Sequence, residues 1–436
     1  MVEPVLVRFD ESLSVLVHAL REEPGVVSTE DVVFVRDASG RLAAFVKQEL
    51  DEDRIAVLTE RIRDRLGAYA RPDRVLADRN APGAERIFDD ALKSAAVVPV
   101  GGDLVVQLLD RRVAAADWLG APAPTAEGPP RLVFASLKGG VGRSTALAVA
   151  AAEQASRARN VLVIDLDLEA PGVGSLLLEK DRRPRFGVLD YLVENGIGGV
   201  RDGDMEDFIG ISGLTSGNGL VHVLPASGLQ SVEHPGNYLP KLARALTEDI
   251  SDDRAISPRE QVVELVDRFT KRRDYDLVLV DARAGLSEIT AGPLLGLGAT
   301  VLLFGTPQQQ TIEGYRYLLA TLSRFAQAGG DLDWRNRLKC VLTKAELDAN
   351  AIESFADEMH ELFAENLYDE AEASDLDAFN FEPRDQAAPH FPVVIPFDAR
   401  FVAWDPTRSP RDLTQTFYQA TFAPFLAFVE GVLENA

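Results

Sequence analysis

The residues most able to do chemistry lie in one short stretch, "KGGVGRST", from Lys138 to Thr145. It follows the apolar run "RLVFASL" and opens an alanine-rich segment. Gly139, Gly140 and Gly142 allow a tight backbone turn whose N–H groups converge, and the helix start behind them adds the positive end of its dipole. That combination is a cradle for an anion, phosphate above all. Ser144, at the head of the helix, can place its hydroxyl on a magnesium ion as the Ser or Thr of a phosphate-binding loop does. The strict GxxxxGK[ST] pattern fails at Leu137 and at Arg143. Arginine keeps the charge and can grip phosphate oxygens in a bidentate fork, but it is longer and planar where lysine is a compact point charge.

The elements that must hold this turn are readable from short β-branched runs alternating with helical stretches. "RLVFASL", "NVLVIDLD", "LVHVLPA", "DLVLVDA", "TVLLFGT", "LKCVLTK" and "FPVVIPF" are continuous apolar strands of the kind a parallel sheet buried on both faces requires. The fold class is α/β, a doubly wound, mostly parallel sheet, with ligands expected beyond the carboxyl ends of the strands. Residues 120–130, rich in Pro, Ala and Gly, read as a linker. Residues 1–119 read as a small α+β domain. "DVVFVRDASGRLAAFVKQEL" is a hairpin, and Ile55, Leu58, Ile62 and Leu66 share one helical face. No nucleophile, base and orienter fall together there, so a protein-interaction module is the expectation.

The stretch Lys138 to Ser144 resembles the deviant phosphate loop of the ParA/MinD family, KGGxGK[ST], in Lys138, Gly139, Gly140, Gly142 and Ser144. The resemblance runs from Arg131 to the C-terminus, residues 131–436, and implies a P-loop NTPase domain of that type. It casts Lys138 as the signature lysine that reaches the phosphates held by a second subunit, which implies a homodimer closed around nucleotide. Val141, Arg143 and Thr145 fall in the same phosphate-binding loop, with Arg143 in the catalytic lysine's place. "VLVIDLDLEAPG" is similar to the family's second motif, in which Asp165 supports the magnesium region and Asp167 orients the attacking water. "YDLVLVDARAG" resembles the Walker B segment, with Asp281 on a magnesium-bound water and Gly285 where switch II senses the γ-phosphate. A lone aspartate after a strand is commonly a turn residue or cap; three in this order around a glycine loop are not all caps. Thr343 and Lys344 open "TKAE", which resembles a base-reading [NT]KxD motif with Glu346 in the carboxylate position. Pro396 and Asp398 resemble the late loop that borders the base. The resemblance implies ATP, in preference to GTP, with Mg2+ held by Ser144, Asp165 and Asp281. Arg143 predicts slow hydrolysis, and Arg283 reads as an extra phosphate contact or as a salt bridge to the acidic insertion, the second preferred.

Composition narrows the functions. A formal charge of −24 over 436 residues repels phosphate backbones, so non-specific DNA binding is not expected. Fourteen acidic residues against one arginine fall between Ala345 and His390, read either as a solvated insertion or as a docking surface for a basic partner. Cys340 is the single cysteine, and His18, His222, His234, His360 and His390 lack ligand spacing, so neither a disulfide nor a cysteine-cluster metal site is expected. No apolar run is long enough to span a bilayer and no leader-like segment opens the sequence, so a cytoplasmic setting is expected. Residues 412–436 contain no Lys or Arg, which argues against a basic membrane-binding tail and for an ordinary packed helix. What remains within the family is an ATPase acting as a switch or regulator of a partner protein, in a setting such as a bacterial defence or stress operon. The alternatives are a nucleotide-locked dimer without turnover and an ATP-dependent ligase or synthetase on the same fold.

Overall fold

The computed structural model describes residues 6–22, 29–101, 104–214, 217–251, 254–327, 332–346, 348–370, 378–409 and 413–435. The chain divides into two compact units, Met1–Gly120 with Arg324–Gly330, and Ala121–Ser323 with Asp331–Ala436.

In the first unit a five-stranded sheet runs in the order Leu76–Ala77, Leu42–Val46, Val32–Arg36, Leu104–Asp110, Ala96–Gly101. Val32–Arg36 and Leu42–Val46 form the expected hairpin, and Asp37 closes its turn by accepting from the N–H groups of Ser39 and Arg41. Alternation sorts the strand residues to two faces. Val32, Phe34, Leu42, Ala44 and Val46 pack with the helices Phe9–Arg21 and Glu52–Leu66, whereas Val33, Val35, Ala43 and Phe45 pack with the helix Ala84–Ser94. Leu58, Ile62 and Leu66 are fully buried as the helical spacing predicts, and Asp51 caps that helix through the Asp53 N–H. The helices Phe9–Arg21 and Ala84–Ser94 were not anticipated from the sequence.

The second unit is built on an eight-stranded sheet in the order Val393–Pro396, Leu338–Ala345, Thr300–Gly305, Arg131–Ser136, Leu277–Asp281, Val161–Asp165, Val221–Leu224, Gly210–Ile211. All neighbours are parallel except the last pair. The seven strands read from the sequence are the seven parallel ones. Every residue of Arg131–Ser136 is buried, so both faces of this central strand are covered, as a doubly wound sheet requires. On one face Leu132 and Phe134 pack with the helix Arg143–Ser156 and with the last helix, Gln415–Glu434, through Tyr418, Phe422, Phe425 and Val429. The cation-free tail is thus an ordinary core helix. On Gln309–Gln327, Tyr315 is fully buried and its hydroxyl donates to the Phe304 carbonyl at 2.6 Å, tying this helix to the strand Thr300–Gly305.

The 120–130 stretch, expected as a linker, is hydrogen-bonded within this unit where it is described: the Ala123 N–H donates to Leu295 O at 2.7 Å and the Ala126 N–H to Gly298 O at 3.1 Å. The acidic insertion is half core. Its helix Ala349–Asn366 buries Phe355, Met359, Leu362 and Phe363, and Tyr368 rings against Phe379, Phe381 and His390. Residues 347 and 371–377 of the insertion lie outside the described residues.

Candidate functional site

The strand Arg131–Ser136 ends at the centre of the sheet and delivers the chain into the glycine loop, beyond the carboxyl ends of its neighbours. Gly140 and Gly142 sit at φ +75° and +90°, where a side chain would be strained, and Gly142 heads the helix Arg143–Ser156 with no side-chain cap. A Cβ on Gly139, Gly140 or Gly142 would meet nothing within 4 Å, so the backbone is bare toward open space. The unpaired N–H groups of the first helical turn face the same way by construction of a helix.

That space is a cavity of about 460 Å³ lined by Gly139 to Thr145 with Ser136, Asp167 and Ala170, by Ile395, Pro396, Phe397, Phe401, Val402, Ala403 and Phe422, and by Thr343, Lys344, Asp398 and Thr421. Its lining combines backbone donors and a helix terminus with apolar and aromatic surface. A cavity of this size with such a lining suits a ligand that joins an anion to a flat ring.

Beneath the loop lies a buried ionic cluster. Asp165 and Asp281 are fully buried, and Arg143 and Asp167 are 7% and 8% exposed. Arg143 does not point at open phosphate space: its Nε donates to Asp281 Oδ1 at 2.5 Å, one terminal nitrogen to Asp167 Oδ2 at 2.9 Å and the other to Ser136 Oγ at 3.1 Å. Ser144 Oγ donates to Asp281 Oδ2 at 2.6 Å. Asp165 Oδ1 accepts from the Asp167 N–H, and its Oδ2 from Gly172 and Val173. The remaining oxygen, Asp167 Oδ1, accepts from the Ala170 N–H at 3.3 Å. Burial pushes the carboxyls of Asp165 and Asp281 upward; the charge of Asp281 adds to it at Asp165, while Arg143 and Ser144 oppose it at Asp281. Burial by itself would lower the Arg143 pKa, but Asp281 and Asp167 outweigh it and hold the guanidinium charged.

Ser144, Asp165 and Asp281, the set expected for magnesium, have hard oxygen donors of the right kind. The hydrogen bonds they make do not exclude the ion: the Ser144 hydroxyl donates its proton to Asp281 and keeps its lone pairs, and a carboxylate oxygen of Asp165 or Asp281 that accepts a hydrogen bond keeps a second lone pair. Among the described residues no group of three or more His, Cys, Asp or Glu side chains is arranged to hold a metal ion.

The other expected residues are placed as follows. Lys138 is exposed, and its Nζ donates to Gln308 Oε1 at 3.0 Å. Thr343 turns its hydroxyl to the carbonyls of Val141 and Gly305, and Lys344, at φ +53°, donates to Gly140 O at 2.6 Å, so both brace the glycine loop from the next strand but one. Gly285, at φ +91°, donates its N–H to Ser136 O at 2.9 Å rather than lining the cavity. Asp398 borders the cavity, but Arg400 and Thr421 engage its carboxylate and hold it well below the usual range. Arg283 pairs with Glu169, in the loop after Val161–Asp165, and not with the acidic insertion, because both residues leave adjacent strand ends. Sequence reasoning missed Ser136, Gln308 and the apolar wall of Phe397, Phe401, Val402 and Phe422. Ser136 carries a signal, as the polar residue that ends the strand before the loop; Phe397, Phe401 and Val402 sit in the same late loop as Pro396 and Asp398, and only Phe422 comes from elsewhere, on the last helix.

No family model matches the chain, and no curated protein matches it. Among solved structures, a plasmid partition protein from Borrelia burgdorferi is 17% identical, covering 67% of this chain and all of that one, with a TM-score of 0.38. The MinD cell division protein of Aquifex aeolicus is 18% identical over 69% of this chain and 97% of its own, with a TM-score of 0.41. A cobyrinic acid a,c-diamide synthase from Mycobacterium smegmatis, solved with an ATP analogue and magnesium, is 21% identical over 52% of this chain and 80% of its own, with a TM-score of 0.36.

Proposed function

We propose that the chain is a nucleotide-dependent switch of the ParA/MinD type, an ATPase whose state is read by a partner protein. The observation that carries this reading is the cavity lined both by bare glycine-loop backbone and by apolar and aromatic side chains. The N–H groups of Gly139 to Thr145 hold the phosphates, and Ile395, Pro396 and the aromatic wall take the base. Glu346, the carboxylate in the position that would accept from guanine, does not line the cavity, which favours ATP.

Hydrolysis is assigned to positioning by the loop and to Asp167, which borders the cavity and orients water at the γ-phosphate end. Arg143 is held on Asp281 and Asp167, so it supplies less charge to the transferring phosphate than a free lysine would, and turnover is slow. Lys138 is exposed, and this reading assigns it to a nucleotide on a second copy of the chain. The first unit, whose described residues carry no constellation of catalytic groups, is assigned to partner recognition.

Phosphate release and oligomer mass, followed on one sample with ATP, GTP or neither, test the proposal. Wild type is expected to release phosphate and dimerise with ATP, and Lys138→Ala to lose both. Tight ATP binding with constant mass and no release would replace the switch by a nucleotide-locked structural protein. Asp167→Ala separates the two further: an ATPase loses release and accumulates the dimer, whereas a pure binder changes in neither.

A further inference from the structure

We infer that the first unit carries a binding site for a phosphate monoester, in the hollow lined by Arg71, Arg74, Arg86 and Arg111. The inference goes beyond the nucleotide reading and does not depend on it, since the hollow belongs entirely to the first unit. Its volume is about 610 Å³, and four arginines against two aspartates, Asp73 and Asp90, leave its lining a formal charge of +2. Glu85 and Asp89, the other acidic residues of the helix Ala84–Ser94, do not line it. The whole chain carries a formal charge of −24, with 45 basic residues against 69 acidic ones. A hollow dominated by arginine reverses that balance, and it makes a local positive potential where the mean field of the chain repels anions.

The two aspartates use up only part of this charge. Asp73 accepts from Nε and one terminal nitrogen of Arg71 at 3.2 and 2.6 Å, and Asp90 accepts from one terminal nitrogen of Arg111 at 3.0 Å. Arg74 donates one terminal nitrogen to the neutral Pro82 carbonyl at 2.9 Å. The Arg86 side chain makes no hydrogen bond or ion pair with a described residue. Arg74 and Arg86 therefore keep both their charge and free N–H groups. Two guanidinium charges match one phosphate monoester, which carries about −1.5 to −2 at neutral pH, and their planar forks each fit a pair of its oxygens. A carboxylate brings one charge and two oxygens, which leaves half of the excess unbalanced.

The arginines stand on anchored backbone. The Arg71 N–H donates to the Leu42 carbonyl at 3.1 Å and the Arg111 N–H to the Arg36 carbonyl at 2.8 Å, so both are tied to the sheet. Arg86 lies on a helix whose next residue, Ile87, packs in one cluster with Phe45, and both of these apolar residues also line the hollow. Binding thus has side chains to order but little backbone, which keeps its entropic cost low. Recognition of phosphoryl groups by arginine clusters works in this way. A phosphorylated side chain of a polypeptide and a free phosphorylated small molecule present the same group to such a hollow.

The experiment is titration calorimetry of the full chain at low salt with O-phosphoserine, with a short peptide carrying one phosphoserine, with glutamate and, separately, with ATP, for wild type and Arg74→Ala/Arg86→Ala. Wild type should bind O-phosphoserine at least about tenfold tighter than glutamate, and the double variant should lose at least about tenfold of that affinity with ATP binding unchanged. A peptide at least about tenfold tighter than O-phosphoserine assigns the phosphate to a modified polypeptide, and equal affinities assign it to a free small molecule. Undiminished O-phosphoserine binding in the double variant would overturn the inference by placing the phosphate elsewhere, the glycine loop included. So would glutamate binding as tight as that of O-phosphoserine, or no binding of either phosphate probe to wild type; these wild-type arms decide the matter even where the variant does not fold. Absence of ATP binding by wild type, with the phosphoserine binding present and lost in the double variant, would sink the nucleotide reading and leave this inference standing.

Discussion

The two units are built alike and treat charge in opposite ways. Each covers a sheet with helices, and each fills its interior with alternating apolar side chains. In the first unit the described ion pairs keep contact with water: Arg65 with Glu22 and Arg111 with Asp90 have all four side chains at least 36% exposed, and Arg112 with Asp110, the most enclosed pair, keeps its arginine 32% exposed. In the second, Arg143, Asp165, Asp167 and Asp281 are nearly or fully removed from water under the glycine loop. Burying charge costs stability unless every group is paired and hydrogen-bonded, and a hydrophobic replacement is often better for stability alone. Its presence among the described residues of one unit only is what the proposed assignment of chemistry to that unit rests on.

The sharpest way to break this contrast is to remove one partner from the cluster. Arg143→Ala leaves Asp281 and Asp167 buried without their cation and is expected to destabilise the second unit by about 3–5 kcal/mol. Urea denaturation, followed by probes in each unit, should show the second-unit transition moving and the first-unit transition unmoved. A loss below about 1 kcal/mol would mean that the cluster is not a buried network at all. In the first unit the comparable blow must be struck at packing. Leu58 is fully buried between helix and sheet, and Leu58→Ala should cost about 3 kcal/mol there through a lost contact and a cavity. ATP affinity should be unchanged in this variant, measured by the same calorimetry.

How much of this could be read from the sequence also differs between the units. The seven parallel strands were legible because a strand buried on both faces must be apolar along its interior, as residues 132–135 and 277–280 are. The glycine loop and its three aspartates were legible because backbone geometry and strand-end position leave a local mark. The direction of the Arg143 side chain was not, since nothing local distinguishes an arginine aimed at a ligand from one aimed at Asp281, 138 residues away. The aromatic wall escaped for the same reason: Phe401 and Phe422 meet the loop only once the last helix has packed. In the first unit the hairpin and one helix were visible, but Ala84–Ser94 buries only Ala84, Ile87 and Ala91, a stripe too thin to announce itself.

A second test of the contrast concerns a neutral polar group that the second unit buries away from the loop. The His390 ring is fully buried, accepts from the Tyr368 hydroxyl at Nδ1 and donates from Nε2 to the Pro383 carbonyl at 3.2 Å. The His360 ring stands 4.8 Å away and the Lys339 ammonium adds positive charge nearby. Burial, with those charges, drives His390 down to about 4. The unfolded chain takes up a proton on this residue below its ordinary pKa of about 6.5, while the native protein resists until about 4, so stability falls as pH drops through that window. The expected loss is about 2 kcal/mol between pH 7 and pH 4.5. It is measured as the difference in pH dependence between wild type and His390→Gln, since glutamine does not titrate. Equal slopes for the two proteins would show that the ring is not held neutral by its surroundings.

The smallest expected effect is the one that closes the comparison from the other side. Arg111 and Asp90 meet at 3.0 Å in an open, arginine-rich hollow of the first unit that also holds Arg71, Arg74 and Arg86, with Arg71 paired to Asp73 at 2.6 Å. Water and salt reach these side chains, so each pair gains little Coulomb energy and loses side-chain freedom in forming. Arg111→Ala should therefore change the first-unit transition by less than about 1 kcal/mol, and that change should shrink further in high salt. Denaturation at low and high NaCl measures both. A loss of several kcal/mol that salt does not diminish would mean the hollow behaves as a desolvated network like the one under the glycine loop. The first unit would then have a buried charge network of its own, and the assignment of chemistry to the second unit alone would fall.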